Sequence, residues 1–200
     1  MPATPLSRAA EPADHRSPAA PTWVAGDLLR AAALASVVVA APLYGFVGVA
    51  LFLLVLGGTM LPRALGLPTA LDMPFCATIL LAAWAAQLDW YLAVDWLDLV
   101  VHAIATGLIA AVAHLTLARV RLLPEPSAAR SGAGSAALTT ALGLVLAAVW
   151  ELGEWLGHTY LDDRIQIGAS DTAGDLLAGG LGALVAAVVL CRLRPTDAAR

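Results

Sequence analysis

The sequence predicts an all-α fold: a polytopic integral membrane bundle of about six transmembrane helices with both termini cytoplasmic. Two observations carry this. Of the 200 residues, 60% are hydrophobic and only 13% charged, with a mean hydropathy of +0.81. Soluble domains carry about 25% charged residues, so half of the usual solubilising charge is missing. The apolar residues also fall in long runs of roughly membrane-spanning length, broken by Pro, Gly and Arg.

Taken in order, residues 1–22 are rich in Pro and Ala and read as a disordered tail. The apolar run beginning at Leu28 is preceded by too long a polar region, and followed by too many spans, to read as a cleaved signal peptide. Spans one and two, 27–41 and 46–61, are separated by Pro42 and Gly45 and are short enough to form a tight hairpin with a tilted or partly re-entrant member. Span three, 73–90, has Asp72 as its expected N-cap and Pro74 in its first turn. Span four is 96–118, five is 135–158 and six is 171–191. The polar connection Arg119–Ser135 holds Pro124, Pro126, Gly132 and Gly134. The transmembrane domain is thus expected over 23–194, with a short tail at 195–200.

Arginine placement orients the bundle. All 11 basic residues are Arg. Arg8 and Arg16, then Arg63, then Arg119, Arg121 and Arg130, then Arg192, Arg194 and Arg200 occupy alternate connections. The positive-inside rule puts those connections in the cytoplasm. The single Arg164 of the opposite face is outnumbered by Asp162 and Asp163. The formal charge of −4 and the lack of a basic cluster leave no case for a nucleic-acid partner; the expected partner is the lipid bilayer. Cys76 and Cys191 fall near the reducing side, without CxxC spacing, and suggest no disulfide framework.

The polar residues inside the spans are the chemical signal. Each ionised side chain at the centre of a membrane helix costs roughly 2.5–3.5 kcal/mol on insertion scales. Asp95, Asp98 and His102 share one stripe of span four, and Glu151, Glu154 and His158 share an identically spaced stripe of span five, each about 10 Å long at 100° per residue. Asp171 and Asp175 share an arc of span six with Ala178 and Gly182, small residues that let helices approach closely. Given the arginine pattern, all three groups lie in the outer half of the membrane.

Ordinary structural roles compete with function. Asp95, Asp98 and Asp171 sit at helix N-termini, where a carboxylate caps and favours the dipole, a reading that suits Asp95 best and competes evenly with function at Asp98 and Asp171. Glu151 and Glu154 sit toward a helix C-terminus, where the dipole disfavours negative charge, with no basic residue near in sequence. Gly153 and Gly157 are expected to form a second packing face, and Trp84, Trp90, Trp96, Trp150 and Trp155 an interfacial belt. His114 is expected to snorkel or bond locally.

The proposed binding residues are therefore Asp98, His102, Glu151, Glu154, His158, Asp171 and Asp175. Glu151, Glu154, His102 and Asp175 are the candidate ligands of a divalent metal ion. Oxygen and imidazole donors without thiolates suit Mg²⁺, Mn²⁺, Fe²⁺ or Zn²⁺. No HExxH, GxSxG or Walker sequence is present. Glu154 and His158 are four apart, not the three of Glu-x-x-His di-iron bundles.

Asp98-x-x-x-His102 followed by Gly107, Glu151-x-x-Glu154-Trp155, and Ser170-Asp171-Thr172-x-x-Asp175-Leu176-Leu177 ending in Gly182-Ala183 resemble small bacterial inner-membrane proteins of the YjdF type, and more distantly VanZ-like proteins. The resemblance covers roughly residues 72–192. It implies that Asp98, His102, Glu151, Glu154, Asp171 and Asp175 are the family's polar residues, in a bacterial cytoplasmic membrane. The glycine after His102 comes one residue late, and the loop before Asp171 lacks the family's Gly-Asp-x-Trp-Asp form. The resemblance implies no particular activity.

Three function classes fit: a site binding a divalent cation or protons, opening outward and serving transport or an envelope role; a metal-assisted enzyme acting on a lipid-linked envelope substrate; and a non-catalytic structural subunit. Adjacent carboxylates need a cation or a shared proton in any of them. Topology is checked by cysteine labelling in intact cells: a cysteine at position 163 should react from outside and one at 128 should not. Labelling at 128 would reverse the orientation.

Overall fold

The computed structural model describes residues 23–126 and 132–192. The expected tails at 1–22 and 195–200, and Arg8, Arg16, Arg130, Arg194 and Arg200, lie outside the described residues. Among the described residues the regular structure is entirely helical: α1 (Gly26–Ala64), α2 (Thr69–Gln87), α3 (Trp90–Ala93), α4 (Leu97–Arg119), α5 (Gly132–Tyr160) and α6 (Ala169–Arg192). All except the short α3 are long and apolar enough to cross a membrane.

The helical stretch α1 contains 39 residues. A straight helix of that length would run about 58 Å, nearly twice the ~30 Å hydrocarbon core. It does not run straight. Gly45 has φ 61° and ψ −153°, a backbone region essentially reserved for glycine. The arms fold back antiparallel: Arg63 lies 3.7 Å from Asp27, and Arg30 Nε donates to the Thr59 carbonyl at 2.9 Å. The hairpin expected from sequence is therefore present, with arms 26–44 and 46–64. Pro42 lies inside the first arm and does not end it; Gly45 alone makes the break.

One face of the hairpin packs against α2. Ala33, Ala40, Phe52 and Val55 are buried with Ala83. The Trp84 ring lies 4.9 Å from Phe52 and 6.2 Å from Tyr44 between centroids, and its indole N–H donates to Ser36 Oγ at 3.0 Å. Trp84 is thus an interhelical packing residue rather than part of an interfacial belt. Trp90, Trp96, Trp150 and Trp155 are exposed.

The arginine-bearing end of this subassembly is held by a buried ionic network. Arg30 pairs with Asp72 of α2 through both terminal nitrogens and with Asp27 at 3.1 Å. Cys76 Sγ donates to Asp72 at 3.4 Å. Asp72 is 3% exposed and Arg30 7%. Asp72 is therefore not the N-cap expected from sequence. The N-cap position is Pro68, whose carbonyl accepts from the N–H groups of Leu71 and Asp72 at 2.9 and 3.0 Å. Helix α2 starts four residues early as a result, leaving Pro74 inside it and turning Asp72 toward Arg30.

The other subassembly is α4, α5 and α6. Leu99 meets Gly174, Thr106 meets Gly179 and Gly107 meets Gly182, so α4 and α6 run parallel. Helix α5 runs antiparallel, with Gly143 against Ala183 and Ala110. Backbones nearly touch: a Cβ at Gly182 would lie 1.8 Å from the Ala103 carbonyl oxygen. His114 is fully buried. Its Nδ1 lies 2.6 Å from Thr139 Oγ1 of α5 and its Nε2 3.3 Å from the Pro124 carbonyl. It ties α4 to α5 and the following loop instead of snorkelling. Helix α2 joins the halves, packing Phe75 and Cys76 around Val112 of α4.

Removing one member of a buried ion pair strands the other, a cost of roughly 3–5 kcal/mol. Arg30→Ala should therefore lower stability by about that much. An Arg30→Met/Asp72→Leu double variant should recover most of the loss. Denaturant melts of purified protein read both; a neutral Arg30→Ala would show that the network does not hold the hairpin.

Candidate functional site

The acid-rich ends of α4, α5 and α6 meet at the end of the molecule opposite the Arg30 network. Helix α4 begins at Leu97 with no side-chain cap. That places Asp98 in its first turn, and His102 one turn further along the same face. His102 Nε2 lies 3.4 Å from Asp98 Oδ1. The close α4–α6 packing brings Asp175 to the same place: one ligand atom from each of Asp98, His102 and Asp175 lies within 4.8 Å of the others. Asp175 is 2% exposed. Among the described residues no hydrogen-bond donor reaches its carboxylate.

Glu151 and Glu154 of α5 lie beside this triad. Glu154 interacts electrostatically with Glu151, Asp98 and Asp175, and with the Trp150 side chain one turn back. Asp175 in turn feels Glu151. One oxygen of Glu151 is buried with no hydrogen-bond partner. The described ion pairs of Arg30, Arg63 and Arg164 all lie elsewhere, so no arginine pairs with the cluster among the described residues. The tightest group is thus Asp98, His102 and Asp175, where sequence reasoning favoured Glu151 and Glu154 with His102 and Asp175. The reason is geometric: α4 approaches α6 more closely than it does α5.

The remaining expected residues take other positions. Asp171 stands one turn before Asp175 and interacts with both Asp98 and Asp175. Asp95 is exposed, and the N-cap position of α4 is Trp96. His158 is drawn away from the triad: its Nδ1 lies 2.6 Å from the Ile165 carbonyl and donates to it. Gly157 packs under Ile165, whereas nothing lies near Gly153, so no helix uses the expected second packing face among the described residues.

A cleft of about 430 Å³ opens at this end, lined among others by His158, Arg164, Gln166, Ser170 and Asp171. Asp171 connects it to the triad. Arg164 does not reach the acid cluster. It forks onto Asp162 at 2.9 and 2.7 Å. These side-chain bonds, with the Arg164 backbone N–H, hold the Asp162 carboxyl down at about 2.

Sequence reasoning missed Tyr91 of α3. Its hydroxyl donates to the Ala82 carbonyl at 3.2 Å, and its ring end faces the field of Asp98, Glu154 and Asp175. Its only sequence signal was an aromatic in a presumed connection. The turn that delivers it depends on Asp89, which adopts φ 55°.

The family comparison agrees with this architecture. The chain belongs to the DUF2238 family, described as predicted membrane proteins, whose model matches residues 23–196. No curated protein and no solved structure matches it.

The α4–α6 contact that assembles the triad leaves no room at Gly182. Gly182→Ala should cost about 1–3 kcal/mol through overpacking. Gly153→Ala, with open space around it, should be neutral or raise stability by up to ~1 kcal/mol through helix propensity. Thermal melts of the two variants decide; equal behaviour would refute the packing argument.

Proposed function

We propose that the chain binds a divalent cation at Asp98, His102 and Asp175. In this reading Glu151, Glu154 and Asp171 complete the surroundings, and the site opens on the non-cytoplasmic face of a bacterial cytoplasmic membrane. The observation that carries the proposal is the buried Asp175 carboxylate, which accepts no hydrogen bond among the described residues and has an oxygen within 4.8 Å of an imidazole nitrogen and of a second carboxylate. Burying carboxylate charge without a partner costs several kcal/mol. A cation removes that cost. Cytoplasmic termini rest on the arginine pattern, and the motif likeness to YjdF-type proteins, more distantly VanZ-like ones, supports the bacterial membrane. The tails at 1–22 and 195–200 flank the transmembrane domain in this proposal.

Transport and an envelope-associated role both fit a cation site of this kind. The cleft beside Asp171 favours a second reading, in which the bound metal assists hydrolysis or group transfer on a lipid-linked envelope substrate. His158 and Arg164 would then face the head group.

A ligand bound only to the native state stabilises it by RT ln(1 + [L]/Kd), about 2.7 kcal/mol at one hundred times Kd. Chelation should therefore lower the melting temperature by several degrees, and re-addition of metal should restore it. Asp175→Asn should abolish the response. Glu154→Gln should lower stability in metal and matter little after chelation. If neither chelator nor any divalent ion moves the melt, and Glu154→Gln is as stable as the parent, the carboxylates carry protons and the cation proposal fails.

A further inference from the structure

The cation reading leaves the class of ion open, and the donors at the triad narrow it. We infer, resting on that reading, that the ion is a borderline transition metal of the Fe²⁺ or Zn²⁺ type, bound through His102 nitrogen, and not Mg²⁺ or Ca²⁺.

The first argument is the donor set. The triad supplies two carboxylates and one imidazole. Imidazole nitrogen suits Zn, Cu, Fe and Ni, whereas carboxylate, carbonyl and water oxygens suit Mg, Ca and Mn. Calcium takes six to eight oxygens at about 2.3–2.6 Å, and Mg²⁺ keeps several waters. The elements framing this site are helices, whose carbonyls are spent on their own hydrogen bonds. The oxygens beyond Asp98 and Asp175 are therefore the side-chain carboxylates of Glu151, Glu154 and Asp171, and the imidazole is the donor that separates the ion classes.

The second argument is spacing. Two ligands on metal bonds of roughly 2.1 Å stand about 3.0 Å apart at a right angle and 3.4 Å apart at the tetrahedral angle. His102 Nε2 and Asp98 Oδ1 are 3.4 Å apart. That is long for a charged hydrogen bond and matches the edge of a small coordination sphere. The third ligand atom lies within 4.8 Å of both, so closure onto a metal needs a carboxylate rotation of an ångström or so. Calcium bonds of about 2.4 Å span the same distance at a right angle, so the edge fixes the place of an ion and the donors fix its class.

The third observation is the burial of acceptors on α5 and α6. Asp175 is 2% exposed and no donor outside the triad satisfies it among the described residues. One Glu151 oxygen beside it is buried and unpartnered as well. Asp175, within 4.8 Å of the imidazole, and Glu151, in the field of Asp175, accept no hydrogen bond among the described residues and describe a place for a positive ion. The acceptors here come from α5 and α6, independent of the α4 pair.

The test uses the full chain in nanodiscs, stripped of metal and with ¹⁵N-labelled histidine. Mn²⁺ is titrated with its free spin-resonance signal as readout, and pulsed spin resonance then reports histidine nitrogen coupling. One Mn²⁺ per chain should bind with histidine coupling. Mg²⁺ or Ca²⁺ in hundredfold excess should displace less than half, and Zn²⁺ should displace it stoichiometrically. His102→Gln should lose the coupling and weaken Mn²⁺ at least tenfold, while His158→Gln keeps both. If His102→Gln does not fold, the coupling and competition measured on the parent chain still decide the class. Mn²⁺ bound without nitrogen coupling, or displaced by equimolar Mg²⁺ or Ca²⁺, overturns this inference and leaves the cation reading standing. Coupling that survives His102→Gln overturns the assignment to His102. Failure of Mn²⁺, Zn²⁺, Mg²⁺ and Ca²⁺ alike to bind overturns both.

Discussion

Helices α4 and α6 approach until backbone meets backbone, and the positions of the polar groups follow from that contact. Gly107 and Gly182 oppose each other, and a side chain at Gly182 would collide with the Ala103 carbonyl. In lipid there is little hydrophobic drive to bring helices together; van der Waals packing through small residues supplies it instead. Because the two helices are parallel, their N-terminal turns lie side by side. Asp98 and Asp175 are carried into each other's field by packing that lies two turns further along. The carboxylates do not assemble the interface. They are held close despite their repulsion, and that repulsion is what the proposed cation would relieve.

The Arg30 network answers the same problem differently at the other end. There Asp72 and Asp27 share Arg30, and Arg63 stands 3.7 Å from Asp27. Two carboxylates are matched by two guanidinium groups, and the site is closed by protein alone. Breaking such a pair is costly, although the pair itself need not stabilise the fold relative to apolar residues. The acid-rich end has no arginine in its cluster among the described residues. One end of the molecule is electrostatically complete and the other is not, which is why the cation proposal rests on the acid-rich end and needs no motif.

Much of the fold was legible in the sequence because membrane helices leave two strong marks, length and apolarity. The hairpin break between the first two spans, the long polar connection after α4 and the helix limits to within a few residues follow from Pro, Gly and Arg placement. What was not legible depended on partners distant in sequence. Asp72 looks like an N-cap because it precedes an apolar run, and nothing local reveals that Arg30, 42 positions earlier, will claim it. Trp84 looks like a belt residue until Ser36 is seen beneath its indole. Gly153 and Gly157 satisfy a packing pattern that no helix uses among the described residues.

The candidate site divides in the same way. Helical spacing put Asp98 and His102 on one stripe, and an i,i+4 relation survives folding because it is local. The rank order of Asp175, Glu151 and Glu154 was not local. It depends on how closely each helix can approach α4, hence on Gly179 and Gly182 in α6 against Gly143 alone in α5. His158 occupies the same face as Glu151 and Glu154 in a helical projection, yet it lies at the end of α5 where the chain turns back. There the Ile165 carbonyl of the returning loop competes for its ring and takes it. A stripe drawn on a helix shows what can meet; the helix ends and the glycines decide what does.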